Sequence, residues 1–261
     1  MKRMTNHWQL TAAFASIVLV ASADARASET DDRIQSSARK SYVFQTFLKA
    51  DSITIKCEAG IVTLTGTVAR EAHKAMAQHT MEGLPGVKAV NNRLEVTGGT
   101  TAERSDAWIS ARVTSSLMFH RSVDGYATQV HTIDGHVTLK GEATSVAQRE
   151  LTGEYAKDVY GVKDVKNEMT VSKAFGKQDD KTMSEEAGDA KASVDDASIT
   201  ALVKMTLLYH QSTSVLDTTV KTSDGIVTLG GKAKNAAEKD LATKLTQDIH
   251  GVKSVVNSMA I

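Results

Sequence analysis

The chain has 261 residues, 31 of them Lys or Arg and 31 Asp or Glu, a length that favours two or three units over one core and a charge balance that argues against a nucleic-acid binder. Its one cysteine, Cys57, excludes an intramolecular disulfide and leaves a lipid-anchored start without its cysteine, so stability must come from packing.

Residues 1–27 follow the three-part plan of a secretory signal. Lys2 and Arg3 supply the positive start, Leu10 to Ala21 an apolar core, and ASADARA the small residues suited to a signal peptidase. The apolar run falls short of the roughly 20 residues that cross a bilayer. Cleavage is predicted after Ala27, with Ala23 and Ala25 as alternatives, and an uncleaved anchor is the competing reading. The expected location is the periplasm, with no transmembrane helix after cleavage.

From residue 30 onward the chain repeats itself. Gly60-Ile-Val-Thr-Leu-Thr-Gly66 recurs as Gly135-His-Val-Thr-Leu-Lys-Gly141 and Gly225-Ile-Val-Thr-Leu-Gly-Gly231. A second marker, Gly86-Val-Lys-Ala-Val-Asn91, recurs as Gly161-Val-Lys-Asp-Val-Lys166 and Gly251-Val-Lys-Ser-Val-Val256. The spacing between the markers, 60 to 86, 135 to 161 and 225 to 251, is the same in every copy, so the intervening segment carries no insertion. The predicted domains are 30–97, 105–172 and 195–261. A short Gly/Thr segment joins the first two, and residues 173–196, rich in charge and small side chains, read as a flexible linker. The expectation is a close first pair and a tethered third copy.

Each copy opens with a helix. Its apolar face is Ile34, Ala38 and Tyr42 in the first copy, Ile109, Val113 and Leu117 in the second, and Ile199, Leu202, Val203 and Leu207 in the third. Asp31, Asp106 and Asp196 stand near the starts as capping or dipole-matching acids. An alternating strand follows: Ile53, Ile55 and Cys57, then Thr128, Val130 and Thr132, then Leu216, Thr218, Val220 and Thr222. Asp134-Gly135 and Asp224-Gly225, with Glu58-Ala59-Gly60 in the first copy, turn that strand tightly into the Val-Thr-Leu strand. A second helix carries Met76, Thr80 and Leu84, Leu151, Tyr155 and Val159, or Leu241, Leu245 and Ile249, and is expected to end at Gly86, Gly161 or Gly251. A last strand closes the unit. The fold class is α+β: three tandem αββαβ modules, each a small three-stranded sheet covered on one face by two helices.

These residues resemble the BON domain family (bacterial OsmY and nodulation domain), whose members share the αββαβ order, the G-x-V-x-L-x-G strand and the G-V-x-x-V strand. The resemblance implies a non-catalytic periplasmic envelope protein whose modules bind phospholipid membrane surfaces or envelope proteins, with a role in osmotic or envelope stress. The two-domain periplasmic members have one module fewer than this chain. A second reading is a chaperone-like or structural stress protein that binds other periplasmic proteins.

No nucleophile with a nearby base, zinc-protease motif or phosphate loop is evident, so neither catalysis nor a cofactor is expected. A metal is not expected either: His120 and His210 are equivalent by position, but the first copy has Gln45 there. Gly66, Gly86, Gly141, Gly161, Gly231 and Gly251 read as structural glycines. The candidate membrane or partner contacts are Trp108, Arg112, Met118, Phe119, Leu208 and Tyr209, which widen the apolar surface of the first helix in copies two and three beside basic groups. Packing against a neighbouring module is the competing role for these side chains.

Overall fold

The computed structural model describes residues 17–97, 105–172, 194–213 and 217–261, with side chains from residue 29. The segment from 173 to 193, and Leu216 in the strand expected for the third copy, lie outside the described residues.

The first module contains α1 (Ile17–Lys40), α2 (Tyr42–Thr46), β1 (Ser52–Glu58), β2 (Ile61–Val68), α3 (Glu71–Glu82) and β3 (Ala89–Val96). The second contains α4 (Asp106–Phe119), β4 (Gln129–Ile133), β5 (His136–Lys140), β6 (Glu142–Ala143), α5 (Val146–Lys157), β7 (Asp164–Asn167) and β8 (Thr170–Val171). The third contains α6 (Asp196–Tyr209), β9 (Thr218–Ser223), β10 (Ile226–Gly231), α7 (Ala236–Gln247) and β11 (Ser254–Asn257). The α+β module order is thus the one expected.

In each three-stranded sheet the Val-Thr-Leu strand is central, antiparallel to the strand before it and parallel to the last, as in the pairings Val62↔Val90, Val137↔Val165 and Val227↔Val255. Alternation sends Val62 and Leu64, Val137 and Leu139, and Val227 and Leu229 under the two helices, where all six are fully buried. In the second module the pairing resumes beyond Gly141 as β6 against β8.

Two backbone devices hold the hairpin in register. A Cβ on Gly66, Gly141 or Gly231 would overlap the carbonyl oxygen of Ser52, Ala127 or Asp217, and φ there is 112°, 133° and 100°. Only glycine lets the partner strand come that close. At the turn, Ala59, Asp134 and Asp224 adopt φ of 53°, 51° and 53° ahead of a positive-φ glycine.

The turn amides are claimed by the acid of the first helix. Asp31 accepts from the N–H of Ala59 and Gly60 at 2.7 and 2.9 Å, Asp106 from Asp134 and Gly135 at 2.7 and 2.8 Å, and Asp196 from Asp224 and Gly225 at 2.7 and 2.8 Å. These acids therefore clamp a turn rather than cap their helices, a task done by Ser105 and Asp195 in the second and third modules. Asp31 also accepts from Cys57 Sγ, and that bond with the turn amides holds its carboxyl below the ordinary range. Burial, followed by this bond to Asp31, pushes the thiol up to about 11. Alanine is the one residue of the three turns without a polar side chain to ease positive φ. Ala59→Gly is expected to raise stability by about 1 kcal/mol, read as a higher urea midpoint at unchanged slope.

Two expectations need correction. The second helices end at Glu82, Lys157 and Gln247, and Gly86, Gly161 and Gly251 lie beyond them in the turn that leads into the last strand. In the first module the helix breaks at Ser41, which caps α2 through its hydroxyl, so Val43 rather than Tyr42 completes the buried face. The last strand is tied to the second helix by one side chain: Asn92, Asn167 and Asn257 donate to the carbonyls of Lys74, Arg149 and Lys239 at 2.9, 2.6 and 2.9 Å.

Candidate functional site

A helix that covers one sheet needs one apolar stripe, but α6 is buried on nearly every side, with Lys204 and Leu208 the exceptions between Ala197 and Tyr209. It packs against its own sheet, against α3 of the first module and against α4 of the second. The Tyr42 N–H donates to Asp195 Oδ2 at 2.8 Å and the Val43 N–H to Ser198 Oγ at 3.1 Å. At the rim Lys204 Nζ lies 3.1 Å from Glu82, whose carboxyl is lowered to about 2, first by His79 and then by Gln78 and Lys204 against the opposing effect of burial. The first and third modules share one continuous core. The expected close first pair and tethered third copy are thus reversed: the third module is the centre on which the other two sit. Chain proximity is outweighed by the area of apolar surface that α6 must cover.

The predicted contact residues meet at this junction. Phe119 is fully buried and Tyr209 is 3% exposed, so neither belongs to a free surface. Their rings stack at 6.1 Å, and Phe47 of the first module meets Phe119 edge-on at 5.8 Å. Tyr42 continues the row beyond Phe47 at 6.0 Å. The Arg112 guanidinium lies 4.1 Å from the Trp108 ring centre and 4.7 Å from that of Tyr209, so it is flanked by aromatic faces. Trp108 meets Tyr160 edge-on at 6.2 Å. Met118 is half-buried against the shared core. What stays open at this junction is Tyr160, 40% exposed, against the half-buried Trp108 and its neighbour Arg112, while Leu208, 39% exposed, is open on α6 one turn beyond Lys204. The one residue of this group that sequence reasoning missed is Tyr160, which stands where the other copies have Pro85 and His250.

The second and third modules pair through counterpart residues, in the manner of a two-fold interface. Backbone bridges join His120 to Ile249 and His210 to Val159. The N–H of Arg121 donates to Asp248 O at 2.9 Å and that of Gln211 to Asp158 O at 2.8 Å, while His250 donates to Phe119 O and Tyr160 to Tyr209 O at 3.2 and 3.0 Å. Ser122 and Ser212 bond Asp248 and Asp158. Each buried histidine faces the aspartate of the opposite module, His120 Nδ1 at 3.2 Å from Asp248 and His210 Nδ1 at 2.9 Å from Asp158.

The symmetry fails at two side chains. Tyr155 stacks on His120 at 4.0 Å and donates to Asp248 at 2.7 Å, where the third module has Leu245. Burial and this bond push the Tyr155 phenol up, so it stays protonated. On the other side Ser116 Oγ lies 3.1 Å from His210 Nε2, where the third module has Thr206. Ser116, His210 and Asp158 thus stand in the hydrogen-bond order of a hydrolase triad, but Ser116 is fully buried inside α4, whose helical amides are spent on its own carbonyls. A substrate carbonyl does not reach it in this arrangement. Among the described residues no group of three or more His, Cys, Asp and Glu is placed to hold a metal ion, and no helix is long and apolar enough to cross a membrane.

Comparison with known proteins agrees with the repeat. The BON domain model matches residues 30–98, 105–173 and 195–261. The chain is 30% identical over 154 residues to the osmotically-inducible protein Y of Escherichia coli (strain K12), across 59% of this chain and 71% of that protein. Among solved structures, the C-terminal domain of CdsD, the structural protein of the Type III secretion system of Chlamydia trachomatis, aligns over 83% of this chain and 93% of its own. Its identity is 14% and the TM-score 0.22, too low to carry a structural argument.

Proposed function

Because the chain belongs to the BON domain family, we propose that it is an exported, non-catalytic protein of the periplasm whose modules bind a phospholipid membrane surface during osmotic or envelope stress. The similarity to an osmotically inducible protein supports the stress role, and the charged start followed by a short apolar run supports export. The observation that carries the binding site is the open edge of the junction, where the exposed Tyr160 meets Trp108 and Arg112 lies over the Trp108 ring. Aromatic rings at a lipid interface gain from burying their apolar bodies, and a guanidinium already held over an aromatic face, as Arg112 is over Trp108, meets an anionic headgroup at little ordering cost.

Vesicles of phosphatidylglycerol and phosphatidylethanolamine are expected to sediment the chain at low salt, and pure phosphatidylcholine vesicles to sediment less. Replacing Trp108 and Tyr160 together by alanine is expected to weaken the partition several-fold, in line with about 1–2 kcal/mol for two half-exposed aromatics. No sedimentation at low salt overturns the lipid reading. If the same chain then suppresses aggregation of an unfolded client protein, the chaperone-like reading replaces it.

A further inference from the structure

His120 is fully buried where the second and third modules meet, yet neither ring nitrogen has a well-directed hydrogen-bond partner. Asp248 Oδ2 is within 3.2 Å of Nδ1 but off the N–H direction, and the Asp248 carboxylate already accepts from Ser122 and Tyr155. A neutral ring fits this site. A protonated ring would bury a second N–H, on Nε2, with no acceptor.

The groups facing His120 come from four directions. Asp248, at the end of α7, favours the cation, as does the Tyr155 ring stacked on it from α5. His210, at the end of α6, meets the ring edge-on at 5.6 Å, and His250 follows Asp248. Arg121, the next residue, places its Nε 3.8 Å from Asp248 and competes for that carboxylate. Burial is the largest influence and, with the two neighbouring histidines, holds the His120 imidazole below its usual range despite Asp248.

We propose that this seam is a proton-operated latch: His120 enters it as a neutral ring, and acidification that protonates it separates the second module from the third while the first stays docked. The direction follows from linkage. A histidine that binds its proton less readily when docked leaves docking at full strength above the free-ring value of 6.5 and weakens it as pH falls below. Among the described residues, the contact between the first and third modules has no buried histidine at its centre. At its rim Lys204 pairs with Glu82, whose carboxyl is held at about 2 first by His79 of its own helix, so that pair is intact well below pH 4.5 and is lost only as pH falls toward 2.

Amide hydrogen exchange on the full chain, corrected for the intrinsic pH dependence, tests this directly. The N–H groups of Arg121, Gln211, Tyr160 and His250 cross the seam and report its opening even when opening is rare. Their protection is expected to fall by about tenfold for each pH unit below 6.5, down to the value at which the docked ring protonates. The Tyr42 and Val43 amides, which bond Asp195 and Ser198 of the third module, are expected to stay level over the same range. In His120→Phe, which keeps a ring against Tyr155 and cannot protonate, the seam amides are expected to lose their pH response. Level protection in the unmodified chain between about pH 7.5 and 5 overturns the latch, and so does an equal fall in His120→Phe or a parallel fall at Tyr42 and Val43. Should that variant not fold, the NMR titration of the His120 ring decides the matter: a midpoint at or above 6.5 in the docked chain overturns the proposal.

Discussion

Phe119→Ala is expected to destabilise the chain by about 3–5 kcal/mol, the range for truncating a buried aromatic ring. The ring is fully buried and touches the aromatic side chains of both other modules, Phe47 and Tyr209, so the vacated space lies where three units converge. No single module can collapse into it without leaving its neighbours. The loss is therefore expected to appear as reduced cooperativity between modules, seen as a lower urea slope or a second transition, and not only as a shifted midpoint. Leu208→Ala, on the exposed side of α6, is the matched control and is expected to change stability by no more than about 1 kcal/mol.

Gly141→Ala is expected to cost about 3 kcal/mol or more and to do so within one module. The added methyl overlaps the Ala127 carbonyl, and φ of 133° is a conformation that side chains rarely adopt. Because β5 is the centre of its sheet, moving its end aside breaks the hairpin with β4 and the continuation of β6 beside β8. Exchange protection is expected to collapse across the second module while β1–β3 of the first module keep theirs. A stable chain with an intact β4–β5 hairpin would show that the close approach is dispensable.

The module was legible because its determinants are local. Alternation, the Asp-Gly turns and two marker glycines at fixed spacing all act within a few residues, and three copies repeat them. The clamp by Asp31, Asp106 and Asp196 was harder to see, since an acid in a first helical turn already has a sufficient local role and its true partner lies 28 or 29 residues ahead. The arrangement of the modules was not legible. Periodicity shows that a face is apolar, not what covers it: the surplus apolar surface of α4 and α6 fits a membrane, a partner or a neighbouring module alike, and Phe119 and Tyr209 take the last of these roles. Of the candidate contacts Trp108 and Arg112 remain half-exposed at an open edge, Met118 is half-buried against the shared core, and Leu208 is exposed on α6. Tyr160 joins Trp108 through a turn that no periodicity marks. His120 and His210 are legible as a positional pair, but the aspartates they face cap the end of the opposite module's second helix, which no local pattern reveals.

The central place of α6 also sets an order of events in the life of the chain. Residues are synthesised from the N-terminus, so Val43, Phe47 and Phe119 are all made before Asp196, where the helix that covers them begins. Through that interval the two finished modules carry sticky, half-built surfaces, the condition under which nascent chains misassociate. A chain interrupted near residue 172 would keep two correctly shaped modules and leave both without their keystone.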